Sequence, residues 1–264
     1  MRHRRLSSAV LLFPLVAGLG PAACPARAQL IENVYPEDVP GFDAARGVSV
    51  TSRIQTDTAW QNIPLGAELL HPEVTEGVSY DSAVLAGQRP SWVFSTAPSL
   101  TLISNDQGSS VAAVASADSE HYVAAPEQSY TDWTGAVGGT FDLADCKVTA
   151  AIAHLALHEN DNGLDAADYD TPLPFSVDTM RLRAVTPLTR LTLEPSFDLT
   201  RFTFGSTTIG GLPAPQSYRD RLVGEVALTL SYGATGFQDP NQFELILRGA
   251  GARYPNEILG EPAR

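Results

Sequence analysis

The chain has 264 residues, with 17 Lys and Arg against 30 Asp and Glu, and a formal net charge of −13 at pH 7. This acidic excess argues against a nucleic-acid partner, which needs basic patches. It also argues against docking onto anionic lipid through a polybasic surface. No stretch after residue 28 approaches 18 uninterrupted apolar residues, so membrane-spanning helices are excluded there.

The first 28 residues have the three parts of a secretory signal peptide. Three arginines lie within residues 2–5, residues 6–20 are mostly apolar, and a small-residue site predicts cleavage after Ala28. Lipidation of Cys24 is an alternative, although the Leu usually found three places before such a Cys is missing. We therefore expect an exported chain that keeps Cys146 as its one cysteine and forms no intrachain disulfide.

Residues 29–65 differ in composition from the rest of the chain. They contain three prolines and scattered acids, and only residues 48–51 have the composition of a short strand. We predict an extended periplasmic leader over residues 29–65. At the other end, residues 256–264 are polar and are predicted to form a tail.

From residue 66 onward, apolar residues recur at every second position. Large apolar side chains alternate with small or polar ones in residues 92–102, 131–143, 191–199 and 222–232. Strict alternation over this length predicts strands with one apolar and one polar face. We predict about nine strands, arranged as an antiparallel meander over residues 66–255.

The connections between these strands alternate in length. Short turns at 105–108 and 144–147 contrast with longer polar connections at 158–174 and 205–217, which is the asymmetry of an outer-membrane barrel. Several predicted strands have 11–14 residues, and aromatic residues lie near their ends, as in membrane-interface girdles. These features favour an all-β transmembrane barrel. A soluble β-sandwich shows the same alternation and is the alternative.

In a barrel, the polar faces of the strands line a watery interior and set the electric field that solutes meet. In a sandwich, the same residues form a solvated surface. The residues predicted to face the lumen are Glu73, Asp132, Arg181, Arg183, Glu194, Asp198, Asp220, Arg221 and Glu225. If the acids line the lumen, they should mildly disfavour anions.

Several segments resemble a known family. They are residues 46–53, 71–85, 128–133, 138–142 and 217–221. Through them the chain resembles the outer-membrane β-barrel porins of proteobacteria, in the form found in acetic-acid bacteria. The resemblance implies a transmembrane β-barrel in a Gram-negative outer membrane, surrounded by lipid and inserted by the barrel-assembly machinery.

The chain departs from this family in two ways. Family members are usually much longer, and here the chain stops after a polar tail without a final amphipathic strand that ends in an aromatic residue. An odd number of strands also differs from single-chain bacterial barrels, which have an even number. We therefore expect a C-terminally truncated barrel, which is either defective or completed by further strands, for example from another copy.

We expect no catalytic, cofactor or metal site. His154 and His158 lie about 13 Å apart on a strand that rises ~3.3 Å per residue, which is too far for one zinc ion. The acidic loop 158–170 lacks an Asp and a Glu at the first and last EF-hand positions. No nucleophile-elbow, zinc-protease or phosphate-loop motif occurs. A Ser-His-acid triad is defined by geometry, so a search for sequence motifs leaves this alternative open.

The function that best fits these patterns is the porin-like passage of small hydrophilic solutes across the outer membrane. Two alternatives remain at this point. One is an outer-membrane accessory of exopolysaccharide export, which would work with partner export proteins. The other is a truncated remnant without function.

Overall fold

The computed structural model of the protein describes residues 35–36, 38–42, 62–82, 84, 90–106, 108–159, 169–232 and 243–255. These residues form strands, turns and two short 3-10 helices, Pro126–Gln128 and Ser217–Arg219. The strands are β1 (Ile63–Leu65), β2 (Glu68–Asp81), β3 (Ser91–Asp106), β4 (Ser109–Tyr122), β5 (Tyr130–Leu143), β6 (Cys146–Glu159), β7 (Leu173–Leu188), β8 (Leu191–Phe204), β9 (Ser206–Ile209), β10 (Leu212–Pro215), β11 (Arg221–Tyr232) and β12 (Phe243–Arg253). No helix in this part of the chain is long and apolar enough to cross a membrane.

Ten strands form one antiparallel sheet in the order β1-β2-β3-β4-β5-β6-β7-β8-β11-β12, and β9 and β10 form a separate hairpin. The predicted all-β antiparallel meander is confirmed. Its nine long strands agree with the predicted number, and β1 is a short additional strand inside the segment predicted as a leader. With β1 the described sheet is even-numbered, as single-chain bacterial barrels are.

β1 and β12 are the two edges of this sheet, and no ladder joins them within the described residues. Because directions alternate through ten strands, the two edges run antiparallel to each other. The predicted signal peptide (1–28), the predicted tail (256–264) and most of the predicted leader (29–65) lie outside the described residues.

The ladders preserve the two-residue period from strand to strand. Val137 of β5 lies opposite Ala113 of β4 and Ile152 of β6, while the next residue, Gly138, lies opposite Ala112 and Ala151. Directly opposite residues share a face of the sheet, so a slip by one residue would move every side chain to the other face. The register therefore collects the alternating apolar residues on one face.

One end of the sheet has very short connections. β5 and β6 are joined through 144–145, and β7 and β8 through 189–190. Ala144 and Thr189 have φ angles of 54° and 50°. Positive φ at the first central residue is the geometry that favours glycine in two-residue hairpins.

The opposite end has longer connections. Residues 205–220 contain the β9–β10 hairpin and the 3-10 helix Ser217–Arg219, and the connection after β4 contains the helix Pro126–Gln128. The predicted contrast between a short-turn end and a long-loop end is therefore present. The connection predicted near 234–241 lies outside the described residues.

Thr189→Gly is expected to stabilise the folded protein by about 1 kcal/mol, because glycine removes the strain of a β-branched residue at positive φ. The urea midpoint of unfolding in lipid vesicles measures this gain. Arg190→Gly is the control, since the neighbouring residue has no positive φ. An equal gain from both substitutions would contradict the turn geometry.

Candidate functional site: the polar face of the sheet

One face of the sheet, called here the apolar face, carries exposed large side chains. On β5 these are Trp133, Val137 and Phe141, of which Trp133 is 48% exposed. The apolar face continues over the other strands through Tyr80, Trp92, Phe94, Leu100, Ile152, Met180, Leu182, Leu222, Val226, Tyr232, Phe243 and Leu247. Extended exposed apolar surfaces of this kind mark contact with another apolar phase.

The other face, called here the polar face, carries small and polar side chains that are more buried. On β5 it presents Thr134, Ala136 and Gly138, next in the sequence to the exposed residues of the apolar face. Thr101 of β3 and Thr179 of β7 are also buried. The polar face is thus the covered side of the sheet, and most of its buried large aliphatic side chains lie towards the long-loop end.

This distribution of apolar residues is the reverse of that in water-soluble proteins. Exposure of apolar surface to water costs roughly 25 cal/mol for each Å², and a soluble sandwich would bury its large apolar residues between two sheets. Here most of the large apolar residues point outward, and the covered face is mainly small and polar outside the long-loop end. The sandwich alternative is therefore inconsistent with the fold.

The structure places most of the predicted lumen residues on the polar face. Cross-strand pairing joins Arg181 to Asp198 and Asp198 to Glu225 in one row. The members that lie on strands at polar-face positions are Glu73, Asp132, Arg181, Arg183, Glu194, Asp198, Arg221 and Glu225.

Asp132 and Asp220 make specific contacts at the long-loop end of the sheet. Asp132 lies beyond Trp133–Ala156, where the β5–β6 ladder ends, and its carboxylate contacts Nδ1 of His158 at 2.8 Å. Asp220 precedes β11 and accepts a hydrogen bond from the backbone N–H of Phe204 at 2.7 Å. The carboxylate of Asp220 thus ties a connection to β8.

Ion pairs join neighbouring strands on the polar face. Arg183 lies 2.7 Å from Glu194, and Arg181 lies 3.6 Å from Asp198. Both pairs bridge β7 and β8. They bring together four of the predicted residues and hold their charged groups along the wall of the sheet.

Sequence reasoning missed two basic residues on this face. Arg248 of β12 lies 2.8 Å from Glu225 of β11, and Lys147 of β6 lies 3.7 Å from Asp142 of β5. The polar positions of β12 were not assigned to a face from the sequence. The alternation of Phe243, Leu245 and Leu247 in this strand was the available signal.

Negative charge dominates the polar face. Between residues 54 and 146 the only Lys or Arg is Arg89. Strands β2, β4 and β5 therefore contribute no Lys or Arg to this face, while they contribute the carboxylates of Glu73, Asp81, Asp118, Glu120 and Asp142. The basic residues of β6, β7 and β12 lie beside carboxylates, so the face as a whole is acidic.

The chain segment Asp38, Val39, Pro40, Gly41 and Phe42, called here segment 38–42, packs against the middle of the polar face. Val39 is fully buried and Phe42 is 4% exposed. The guanidinium of Arg181 lies over the ring of Phe42, 5.2 Å from its centroid. These residues belong to the segment predicted as an extended leader, and they form a turn on the sheet.

Near the long-loop end, the polar face carries a small apolar cluster. Leu155, Leu173 and Val177 are fully buried, and the rings of Phe175 and Phe204 stack at 5.5 Å. Sequence reasoning missed this cluster because Phe204 continues a series that is polar earlier in β8. The cluster anchors the connections at the long-loop end of the sheet.

Arg219 fastens the long connection after β8 onto this cluster. Its Nη2 donates to Oε2 of Glu159 at 2.8 Å, and its guanidinium lies 4.3 Å from the centroid of the Phe204 ring. Its Nη1 also donates to the hydroxyl of Tyr169 at 3.3 Å. Burial raises the pKa of the Tyr169 hydroxyl, and the neighbouring Arg219 partly opposes this shift.

A second tie joins the neighbouring connections. Nε2 of the buried Gln128 donates to the backbone oxygen of Asp170 at 2.5 Å. The carboxylate of Asp170 accepts from the backbone N–H of Gly211 at 2.6 Å. The connections after β4, β6 and β8 are thus held together at this end of the sheet.

Arg219→Ala is expected to loosen these connections by about 2 kcal/mol, because a partly buried ion pair and a cation–π contact are lost together. The rate of limited proteolysis within residues 205–220 should rise, as measured on the folded protein in vesicles. Arg190→Ala, in the short turn at the other end, is the control. Equal proteolysis of both variants would contradict the anchoring role.

His154 and His158 each have their own carboxylate. Nδ1 of His154 lies 2.6 Å from Asp178, and Nδ1 of His158 lies 2.8 Å from Asp132. Within the described residues no group of three or more His, Cys, Asp or Glu is arranged to hold a metal ion. The two histidines therefore belong to cross-strand polar pairs.

An antiparallel meander of long strands with an exposed apolar face and a covered polar face defines the β-barrel class of membrane proteins. The family model of Putative beta-barrel porin 2 matches residues 61–240. The chain belongs to this family, which confirms the resemblance found in the sequence. The description of the family is that of a porin, an outer-membrane and non-enzyme kind of protein. Neither a curated protein nor a solved structure matches the chain.

Proposed function

We propose that this protein forms a conduit in the outer membrane through which small hydrophilic solutes pass, with a preference for cations over anions. The observation that carries the proposal is the opposite exposure of the two faces. Large apolar side chains point away from the covered face, and charged and small side chains lie on it. Lipid would contact the first face and water the second.

Aromatic residues lie at the ends of the apolar face, which supports a membrane setting. On β2 and β3 it reaches the long-loop end at Tyr80 and Trp92, which lie opposite each other. On β11 and β12 it reaches the short-turn end at Tyr232 and Phe243. Barrels of this class have aromatic girdles at both membrane interfaces, which would place aromatic residues at these two ends.

The size of the polar-face side chains supports passage through a narrow ring. A barrel of ~8 strands is filled by its own side chains, whereas one of 16–18 strands leaves an aqueous channel. A ring near the lower size needs small inward residues to leave space. Ser95, Ala97, Ser99 and Ser116 provide them on β3 and β4.

The acidic polar face supports the preference for cations. Carboxylates along β2, β4 and β5 have no basic neighbours on their own strands, and the arginines of β7 and β12 are matched by acids. In a narrow space with low-dielectric walls, unbalanced charge raises the local concentration of counter-ions. Cations would therefore enter more readily than anions.

Electrical recording in planar lipid bilayers tests the proposal. Purified folded protein should give discrete conductance steps, and a salt gradient should give a reversal potential of the sign expected for cation preference. Folding is checked by heat-modifiable migration on a gel. Folded protein that gives no steps, with segment 38–42 either in place or displaced, would refute passage through the barrel.

A further inference from the structure

We propose that segment 38–42 forms the constriction of this conduit, seated on the polar face against Gly138 and Ala151 so that it limits the passage of solutes. The inference rests on the proposed function, because a constriction requires that the polar face enclose a path. It assigns the narrowest part of that path to a piece of chain outside the strands.

The part of the polar face that contacts segment 38–42, called here the seat, consists of residues with small side chains. A Cβ placed on Gly138 would collide with the backbone oxygen of Pro40 and would lie 2.8 Å from Cγ1 of Val39. A Cβ on Gly41 would lie 2.8 Å from Cβ of Ala151. Real side chains do not approach this closely, so the segment can lie flat on β5 and β6 only where glycine is present.

The conformation of the segment also fits the seat. Gly41 has a φ of 100°, which side chains other than glycine rarely adopt. The backbone N–H of Phe42 donates to the oxygen of Val39 at 3.0 Å, which closes a turn. The turn directs Val39 and Phe42 onto the sheet, where both are buried.

Arg181 connects segment 38–42 to the charged residues of β7 and β8. Its guanidinium lies over the Phe42 ring and 3.6 Å from the carboxylate of Asp198. The segment therefore occupies the space in front of the ion pairs of β7 and β8. A solute that moves along the polar face at this level meets segment 38–42 before it meets the wall.

Gly138→Val is the main test, because the added side chain occupies the place of Val39 and Pro40. Single-channel conductance should rise severalfold over the wild type. Gly135→Val is the matched control: it makes the same substitution on the same strand, but on the apolar face, where a Cβ would make ordinary contact with Trp133 at 3.7 Å. Its conductance should equal that of the wild type.

Val39→Asp is the second variant, in case the first one fails to fold. It places a charge at a fully buried position of the segment and changes no strand. The free energy of burying an unpaired carboxylate should release the segment. Conductance should rise as with Gly138→Val.

Labelling of a cysteine reports the position of the segment without reference to conductance. In a chain in which Cys24 and Cys146 are replaced by Ala and Ser, Val39→Cys should resist a membrane-impermeant maleimide in folded protein. Addition of Gly138→Val should make it reactive, and addition of Gly135→Val should not. Equal reactivity in all three proteins would overturn the proposed seat.

The two readouts separate this inference from the proposed function. If Gly138→Val exposes the cysteine and conductance stays at the wild-type value, the conduit stands and the constriction is wrong. If labelling follows the expectation and no variant conducts, the seat stands and the proposed passage of solutes is wrong. If conductance rises with exposure of the cysteine, both proposals are supported.

Discussion

Val226→Arg is expected to prevent stable folding into membranes. Val226 lies in the middle of the apolar stretch of β11, between Leu222 and Tyr232, and is 58% exposed. An arginine that faces lipid near the midplane costs roughly 2–4 kcal/mol in barrels of this class. The free energy of folding into phosphatidylcholine vesicles, from urea titration with the gel-shift assay, measures the loss.

The surrounding lipid, and not side-chain packing, determines how much Val226→Arg destabilises the folded protein. Val226 lies opposite Phe197 of β8 and Gly249 of β12, so a long side chain at this position has room. In water, arginine at such an exposed position would be harmless or favourable. The substitution therefore distinguishes a membrane barrel from a water-soluble sheet more sharply than a deletion would.

Thr229→Arg is the matched control for this experiment. It places the same side chain on the same strand, but on the polar face and opposite Glu194. A watery interior should tolerate it, with a change in folding free energy within about 0.5 kcal/mol. If Val226→Arg folds as well as Thr229→Arg, the apolar face does not contact lipid.

Replacement of Glu73 and Asp118 by lysine is expected to reverse the ion preference of the conduit from cations to anions. Both positions lie on the polar face of strands that have no basic residue there. Each substitution changes the local charge by two units without breaking an ion pair found in the structure. In a narrow space, local charges determine which ions enter.

The reversal potential in a potassium chloride gradient measures this preference, and its sign should change. The control is a chain with lysine at Glu127 and Asp145, which are exposed residues in connections at opposite ends of the sheet. It has the same net charge as the test variant. If both variants shift the potential equally, the overall charge of the protein sets the preference, and the polar face does not line the path.

The two-residue period of the sequence was enough to predict the strands and their faces. Trp133, Val137 and Phe141 alternate with small residues whatever the neighbouring strands are, because successive side chains of any strand point to opposite sides. The number of long strands and the short-turn end follow from the same local pattern. For this reason the sequence was enough to predict the polar-face residues Arg181, Arg183, Glu194 and Asp198.

The contacts of each polar residue depend on the register of the ladders and on which distant segments pack against the sheet. Neither of these shows in the local sequence pattern. Asp132 lies on the polar face opposite Asp118, but the β5–β6 ladder ends next to it and its carboxylate contacts His158. Similarly, Gly138 reads as an ordinary small residue of a strand. Only the fold brings Pro40 onto it from nearly a hundred residues away, and a contact at that separation depends on how distant segments pack and not on the period of either one.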